Sequence, residues 1–192
     1  MKIVIDTSSL MALVRYYIPF DKDEAFVAYI KQKMIDGDVI IIDKVDDESK
    51  RLSGGLIKKK LNFLNDKDFI KAANYPYNTS RLIPIKPKTF ENMMNNQFVV
   101  QIQKDKLTDI EFEQQKDEFY KDADVKQVLM CWEQNQKGND YILVTEETPT
   151  NNDNKLFRKI PFICKELKIK TKTLPQLIKI FEKVDFEIKV EK

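Results

Sequence analysis

An acidic residue follows the first apolar stretch of the chain directly, where a carboxylate could line a ligand-binding crevice. Residues 2–5 are mostly β-branched and apolar, which is typical of a short buried strand. Thr7 and Ser8 are typical N-cap residues, and apolar residues then recur at helical spacing. Ligands of open α/β folds bind at the carboxyl ends of the strands. Asp6 is therefore either a helix cap or part of a site, and this stretch alone favours neither.

Three more carboxylates occupy comparable positions. A predicted strand at 39–42 leads into a helix that carries Glu48, Asp124 begins another predicted helix, and the strand at 141–145 runs into Glu147. Right-handed βαβ crossovers place such strand ends along one edge of a sheet, so the four carboxylates are expected in one crevice. The alternative is that they are ordinary caps and surface acids, since 31 residues of the chain are acidic.

The chemistry of such a crevice points to a hard divalent cation. Four unpaired carboxylates would repel one another, and all-oxygen ligands suit Mg²⁺ or Mn²⁺. The chain contains no histidine, which excludes Ser-His and Cys-His nucleophiles and His-ligated zinc. A bound cation is then the most plausible means of making hydroxide at neutral pH and of stabilising charge on a phosphodiester.

Composition indicates one domain with a hydrophobic core and without a membrane segment. The chain has 192 residues, 42% of them hydrophobic, and a net charge of only +2. Four glycines and no Gly-rich loop argue against a phosphate-cradling motif. No apolar run has membrane length, and no signal peptide is recognised. Cys131 and Cys164 lie in predicted helices, which favours reduced thiols in a cytoplasmic protein.

The predicted elements divide the chain unevenly. A single domain is expected over 1–181, followed by a C-terminal tail at 182–192. Residues 56–121 lack a convincing strand and are interpreted as a helical insertion, with helices over 89–103 and 108–121.

Four short motifs together resemble PIN-domain ribonucleases. They are IVIDTS at 3–8, VDDE at 45–48, AD at 123–124 and LVTEE at 143–147. The stretch KIPFIC at 159–164 is similar to a bacterial PIN-like subgroup long described only as a domain of unknown function. The resemblance covers roughly residues 1–52 and 122–178 and says little about 56–121.

This resemblance implies a three-layer α/β/α sandwich with a mainly parallel sheet and a Mg²⁺- or Mn²⁺-dependent endoribonuclease. Many such proteins are toxins of bacterial toxin–antitoxin pairs. By position, Asp6, Glu48, Asp124 and Glu147 correspond to the metal ligands and catalytic residues. The supporting residues are Thr7, Ser8, Thr145 and Glu146. Glu147 departs from the usual Asp by one methylene, and the long insertion could cover the site.

A run of cations follows Glu48 and could contact RNA phosphates. It consists of Lys50, Arg51, Lys58, Lys59 and Lys60. The alternative is a solvated helix face, which is the commoner origin of such runs. Tyr16 and Tyr17 follow the first carboxylate and could stack on a base or pack in the core, whereas Trp132 is expected in the core.

These observations predict an endoribonuclease that acts on RNA, with an antitoxin protein or a second copy of the chain as candidate protein partners. The first alternative is a catalytically inactive PIN-like module that binds RNA or protein. The second is a carboxylate-metal phosphohydrolase. It ranks low because the aspartyl-phosphate type needs Asp-x-Asp after the first strand, and this chain has Asp6-Thr7-Ser8.

Overall fold

A four-stranded parallel sheet forms the centre of the protein. The computed structural model describes residues 1–84, 86–148, 155–181 and 184. The strands are β1 (Lys2–Ile5), β2 (Val39–Ile40), β3 (Tyr141–Val144) and β4 (Lys170–Lys172), in the spatial order β2-β1-β3-β4. Every pairing is parallel, with Ile5 opposite Val144. Helices flank this sheet, which confirms the predicted α/β/α sandwich.

The central strands β1 and β3 consist mostly of consecutive apolar residues, which explains why helices cover both faces of the sheet. Ile3, Val4 and Ile5 are at most 2% exposed, and Leu143 and Val144 are fully buried. Consecutive apolar residues of this kind are typical of parallel strands that are buried on both faces. The carboxyl ends of β1 and β3 consequently lie side by side, and Asp6 and Thr145 are the first polar residues beyond them.

Eleven α-helices lie in the described part of the chain. They are α1 (Thr7–Ala12), α2 (Ala25–Ile35), α3 (Asp43–Arg51), α4 (Leu56–Lys60), α5 (Lys67–Ala72), α6 (Pro87–Asn96), α7 (Gln101–Lys104), α8 (Asp109–Phe119), α9 (Ala123–Gln136), α10 (Ile160–Glu166) and α11 (Leu174–Ile178). A π-helical segment, Leu13–Tyr17, continues α1. None of the helices described here is long and apolar enough to cross a membrane.

The segment 56–121 contains helices α4 to α8 joined by turns and loops, and aromatic side chains pack it onto α9. Phe90 of α6 lies 5.6 Å from Trp132 and 5.8 Å from Phe98, measured between ring centroids. Trp132 is 7% exposed, so its predicted place in the core is confirmed. The predicted tail at 182–192 lies outside the described residues, apart from residue 184.

The helix predicted over 89–103 is wrong in one respect, because the chain forms α6 and α7 with a break between them. In this break the Val100 N–H donates to the Leu156 carbonyl at 2.8 Å, and the Arg158 N–H donates to the Phe98 carbonyl at 2.7 Å. These bonds to a distant segment replace the local bonds that a continuous helix would need.

Candidate acidic site

Asp6 lies at the end of β1 and is held by three polar side chains. Its carboxylate accepts hydrogen bonds from Ser8 Oγ at 2.6 Å, from Thr145 Oγ1 at 3.1 Å and from Gln127 Nε2 at 3.1 Å. The Asp6 side chain also caps α1 by accepting the Ser8 N–H. Asp6 is only 5% exposed. It is therefore both a helix cap and part of a buried polar cluster, so the two readings of the sequence are compatible.

Glu48 reaches this cluster from α3. Its Oε2 accepts a hydrogen bond of 2.5 Å from Thr7 Oγ1, which ties α3 to the start of α1. Burial raises the pKa of Glu48, and the negative charges of Asp6 and Asp122 raise it further. Glu48 therefore lies within electrostatic reach of the carboxylate that follows β1.

Asp124 is the most perturbed of the four predicted ligands. It lies in the first turn of α9, and its pKa is raised from the ordinary 3.8 to about 7, with burial as the largest cause. The charges of Asp6, Glu147 and Glu48 add to this shift, in that order. The negative charges of all three other predicted ligands therefore act on Asp124, which keeps its proton to a higher pH than an ordinary aspartate does.

Glu147 and Glu146 occupy different surroundings beyond β3. Glu147 accepts the Ile160 N–H at 3.2 Å, and burial followed by the charge of Asp6 raises its pKa. Glu146 instead accepts the Leu174 N–H at 2.6 Å, at the start of α11. Glu147 therefore lies within electrostatic reach of Asp6 and Asp124, whereas the Glu146 side chain is bonded to the start of α11.

Two residues of this cluster were not singled out in the sequence. Gln127 is fully buried, and its Oε1 has no hydrogen-bond partner among the described residues. A polar residue three positions after Asp124, on the buried side of an apolar helix, was the available signal. Asp122, the residue before α9, also has a raised pKa, first through burial and then through Glu118.

The predicted cation run separates into two groups. Lys58 forms an ion pair with Asp46, donates to Tyr75 Oη at 2.9 Å, and has a side chain that is only 11% exposed. Its inclusion among RNA-binding cations needs correction, because its ammonium group is used inside the protein. Lys50 pairs with Asp46 and Asp47, both at 2.8 Å, and its side chain is 54% exposed.

The other members of the run remain on the surface. Arg51, Lys59 and Lys60 are exposed, and the charge of Arg51 lowers the pKa of Glu48. Lys155 lies close enough to Asp124 for its charge to lower the pKa of that carboxyl. Cations thus approach the acids from α3 and from the segment before α10.

The donor set fits a hard cation in its chemistry, although the side chains are not gathered around one point. Within the described residues, no three Asp, Glu, His or Cys side chains are grouped closely enough to hold a metal ion as they stand. The Glu48 carboxylate is bound by Thr7, and that of Glu147 by the Ile160 N–H. A cation would therefore require these carboxylates to rearrange, with the unpartnered Gln127 Oε1 as a further neutral oxygen nearby.

The fold and this cluster define an α/β protein with an acidic site at the carboxyl edge of a parallel sheet. A family model described as a domain of unknown function (DUF4411) matches residues 3–184, and the chain belongs to this family. Comparisons with curated proteins and with solved structures give no match.

Proposed function

We propose that this protein is a Mg²⁺- or Mn²⁺-dependent endoribonuclease of the PIN-like type. The observation that carries the proposal is the buried Asp6 carboxylate, which Ser8, Thr145 and Gln127 hold at the carboxyl edge of the sheet. The raised pKa of Asp124, to which the charges of Asp6, Glu147 and Glu48 all contribute, supports it. Mutual repulsion in a buried cluster costs folding free energy, and buried carboxylates are normally paired or bound to metal ions. A strongly perturbed acid in such a cluster is a frequent mark of a functional site.

The cation would be held by Asp6, Glu48, Asp124 and Glu147. When bound, it would supply a polarised water and stabilise negative charge on a phosphodiester. The hydroxyl groups of Thr7, Ser8 and Thr145 orient the first two of these acids. Ser8 and Thr145 hold Asp6, and Thr7 holds Glu48. Such supporting bonds fix ligand orientation in metal sites.

An RNA strand would be positioned by the exposed cations beside the acids. Arg51, which lies in α3 three residues after Glu48, and Lys59 and Lys60 of α4 are suited to phosphate contacts. Lys50 is a weaker candidate because it is already shared by two aspartates. This arrangement is suited to a single RNA strand that runs from α4 across α3 to the acidic site.

The biological setting that we propose is a toxin of a type II toxin–antitoxin pair in the cytoplasm, with a cognate antitoxin as protein partner. The toxin role rests on the resemblance of the four acidic motifs to PIN-domain ribonucleases. The cytoplasmic setting is supported by Cys131 and Cys164, which are buried and free.

The proposal is tested by cleavage of a mixed RNA pool in EDTA and after addition of Mg²⁺, Mn²⁺ or Zn²⁺. We expect cleavage with Mg²⁺ or Mn²⁺, loss of cleavage in Asp124→Asn, and full activity in Asp47→Asn. Asp47 is the matched control because it is an exposed aspartate in α3, one residue before Glu48. Undiminished cleavage in EDTA would refute the metal-dependent mechanism.

One observation favours a second candidate, a PIN-like module that binds RNA without cleaving it. Glu48 and Glu147 are each held by a protein donor, and the described acids do not surround a common point. RNA binding that is retained without cleavage under any of these metals would support this candidate.

A further inference from the structure

A surface cavity of about 400 Å³ opens beside the acidic site. Its lining includes Ser8, Met11, Tyr16, Glu146 and Pro175. Ser8 belongs to both places, because its Oγ donates to the Asp6 carboxylate at 2.6 Å and accepts the Glu146 N–H at 3.0 Å. The cavity volume lies in the range of roughly 300–1,000 Å³ found for small-molecule sites. A ligand in this cavity would be one side chain away from Asp6.

Tyr16 stands at the rim of the cavity with most of its surface in water. It belongs to the π-helical segment Leu13–Tyr17 and is 65% exposed. Its neighbour Tyr17 instead packs against Phe26, with ring centroids 6.5 Å apart. Short π-helical segments frequently occur at functional sites, and an exposed aromatic ring on a helical support offers a stacking surface for a base.

Glu146 supplies a fixed acceptor to the same cavity. Its Oε1 accepts the Leu174 N–H at 2.6 Å and Ser9 Oγ at 3.2 Å, so the carboxylate is held in place. Its Oε2 accepts no hydrogen bond within the described part of the chain. A carboxylate oxygen that is positioned but unused is suited to an N–H donor of a ligand.

We infer that this cavity binds a cytosine base, stacked on Tyr16 and donating from its exocyclic amino group to Glu146, in single-stranded RNA that reaches the acidic site. The inference rests on the proposed function for its substrate class. Glutamate pairs with the amino group of cytosine, whereas uracil presents a carbonyl oxygen at the equivalent position and would be repelled. Since cytosine and uracil have the same ring size, the carboxylate is the feature that separates them.

The test is the affinity of short oligo(C) and oligo(U) strands, measured by fluorescence anisotropy in EDTA, so that cleavage is not needed. We expect the wild-type protein to prefer oligo(C). Tyr16→Ala should weaken oligo(C) binding by about 5- to 100-fold, and Tyr16→Phe should retain it because the ring is kept. Phe20→Ala is the matched control, since Phe20 is 77% exposed and does not line the cavity.

The role of Glu146 has a separate readout. Glu146→Gln places an amide, which can also donate, beside the base, so the preference for oligo(C) over oligo(U) should fall by about tenfold. Thermal unfolding of each variant distinguishes this change from loss of the fold. Equal affinity of the wild-type protein for the two strands, absence of binding, or equal effects of Tyr16→Ala and Phe20→Ala would overturn the inference.

These outcomes are independent of the cleavage assay. Base preference without metal-dependent cleavage would leave the inference standing and refute the proposed function. Metal-dependent cleavage that is unchanged in Tyr16→Ala and shows no base preference would refute the inference and leave the proposed function standing.

Discussion

Replacing Asp124 by Asn should stabilise the metal-free protein at neutral pH. In the folded protein the pKa of this carboxyl is about 7, against an ordinary 3.8. Each pKa unit corresponds to about 1.4 kcal/mol, so the ionised form costs at most about 4 kcal/mol of folding free energy. Asn has a similar size but no charge. We therefore expect the free energy of unfolding at pH 8 to rise by about 2–4 kcal/mol. The rise can fall short of the full value of about 4 kcal/mol because Asn does not reproduce every contact of a protonated Asp.

The sign of the pH dependence follows from the same shift. Between pH 4 and pH 7 the folded protein keeps a proton on Asp124 that the unfolded chain has lost, so this residue lowers stability as the pH rises. Its penalty is absent below the unfolded pKa and fully present above the folded pKa. The raised pKa values of Glu48 and Glu147 act in the same direction. Wild-type stability should fall from pH 4 to pH 8, and this fall should be smaller in Asp124→Asn.

Urea unfolding in EDTA at several pH values between 4 and 8 measures both effects. Asp47→Asn is the control, because Asp47 is exposed and its replacement should change stability by less than about 1 kcal/mol. If Asp124→Asn were less stable than the wild-type protein at pH 8, the argument from repulsion and burial would be refuted.

Three further predictions concern the ligands and the correction to the cation run. Mn²⁺ should raise the melting temperature of the wild-type protein and raise that of Asp124→Asn less, because a ligand stabilises a protein only in proportion to its binding. An equal rise in both proteins would argue against the site. Glu147→Gln should reduce metal-dependent RNA cleavage by about 100-fold or more without lowering the melting temperature, and unchanged cleavage would remove Glu147 from the ligands. Lys58→Ala should destabilise the protein by about 2 kcal/mol in urea unfolding, because it removes the less exposed of the two lysines paired with the buried Asp46 and leaves only Lys50. Lys60→Ala should be neutral in the same assay, and equal losses would contradict the division of the cation run.

Much of the frame that positions the site could be predicted from the sequence. The unbroken apolar run at 39–42 is typical of a parallel sheet, because strands buried on both faces need no polar alternation. Asp6 and Glu147 could be placed at one edge of that sheet because parallel strands share the direction of their carboxyl ends.

The sequence does not show as clearly which side chains of the helical and irregular segments point into the protein, or where a helix is interrupted. Three consecutive lysines at 58–60 look alike in the sequence, and only the fold brings Asp46 and Tyr75 to the first of them. The break between α6 and α7 depends on backbone bonds to Leu156 and Arg158, more than fifty positions later in the chain. Pairing at such a distance leaves no local pattern.

The central claim is that the four carboxylates form one divalent-cation site, and calorimetric titration with Mn²⁺ tests it most directly. Titrations of the wild-type protein in buffers of different ionisation enthalpy give the number of protons released on binding. A cation displaces the proton from Asp124, so more protons should be released on binding at pH 6 than at pH 8. Asp124→Asn should bind Mn²⁺ more weakly and lose this pH dependence. Absence of Mn²⁺ binding to the wild-type protein, or binding with the same affinity and proton release in Asp124→Asn, would contradict the account.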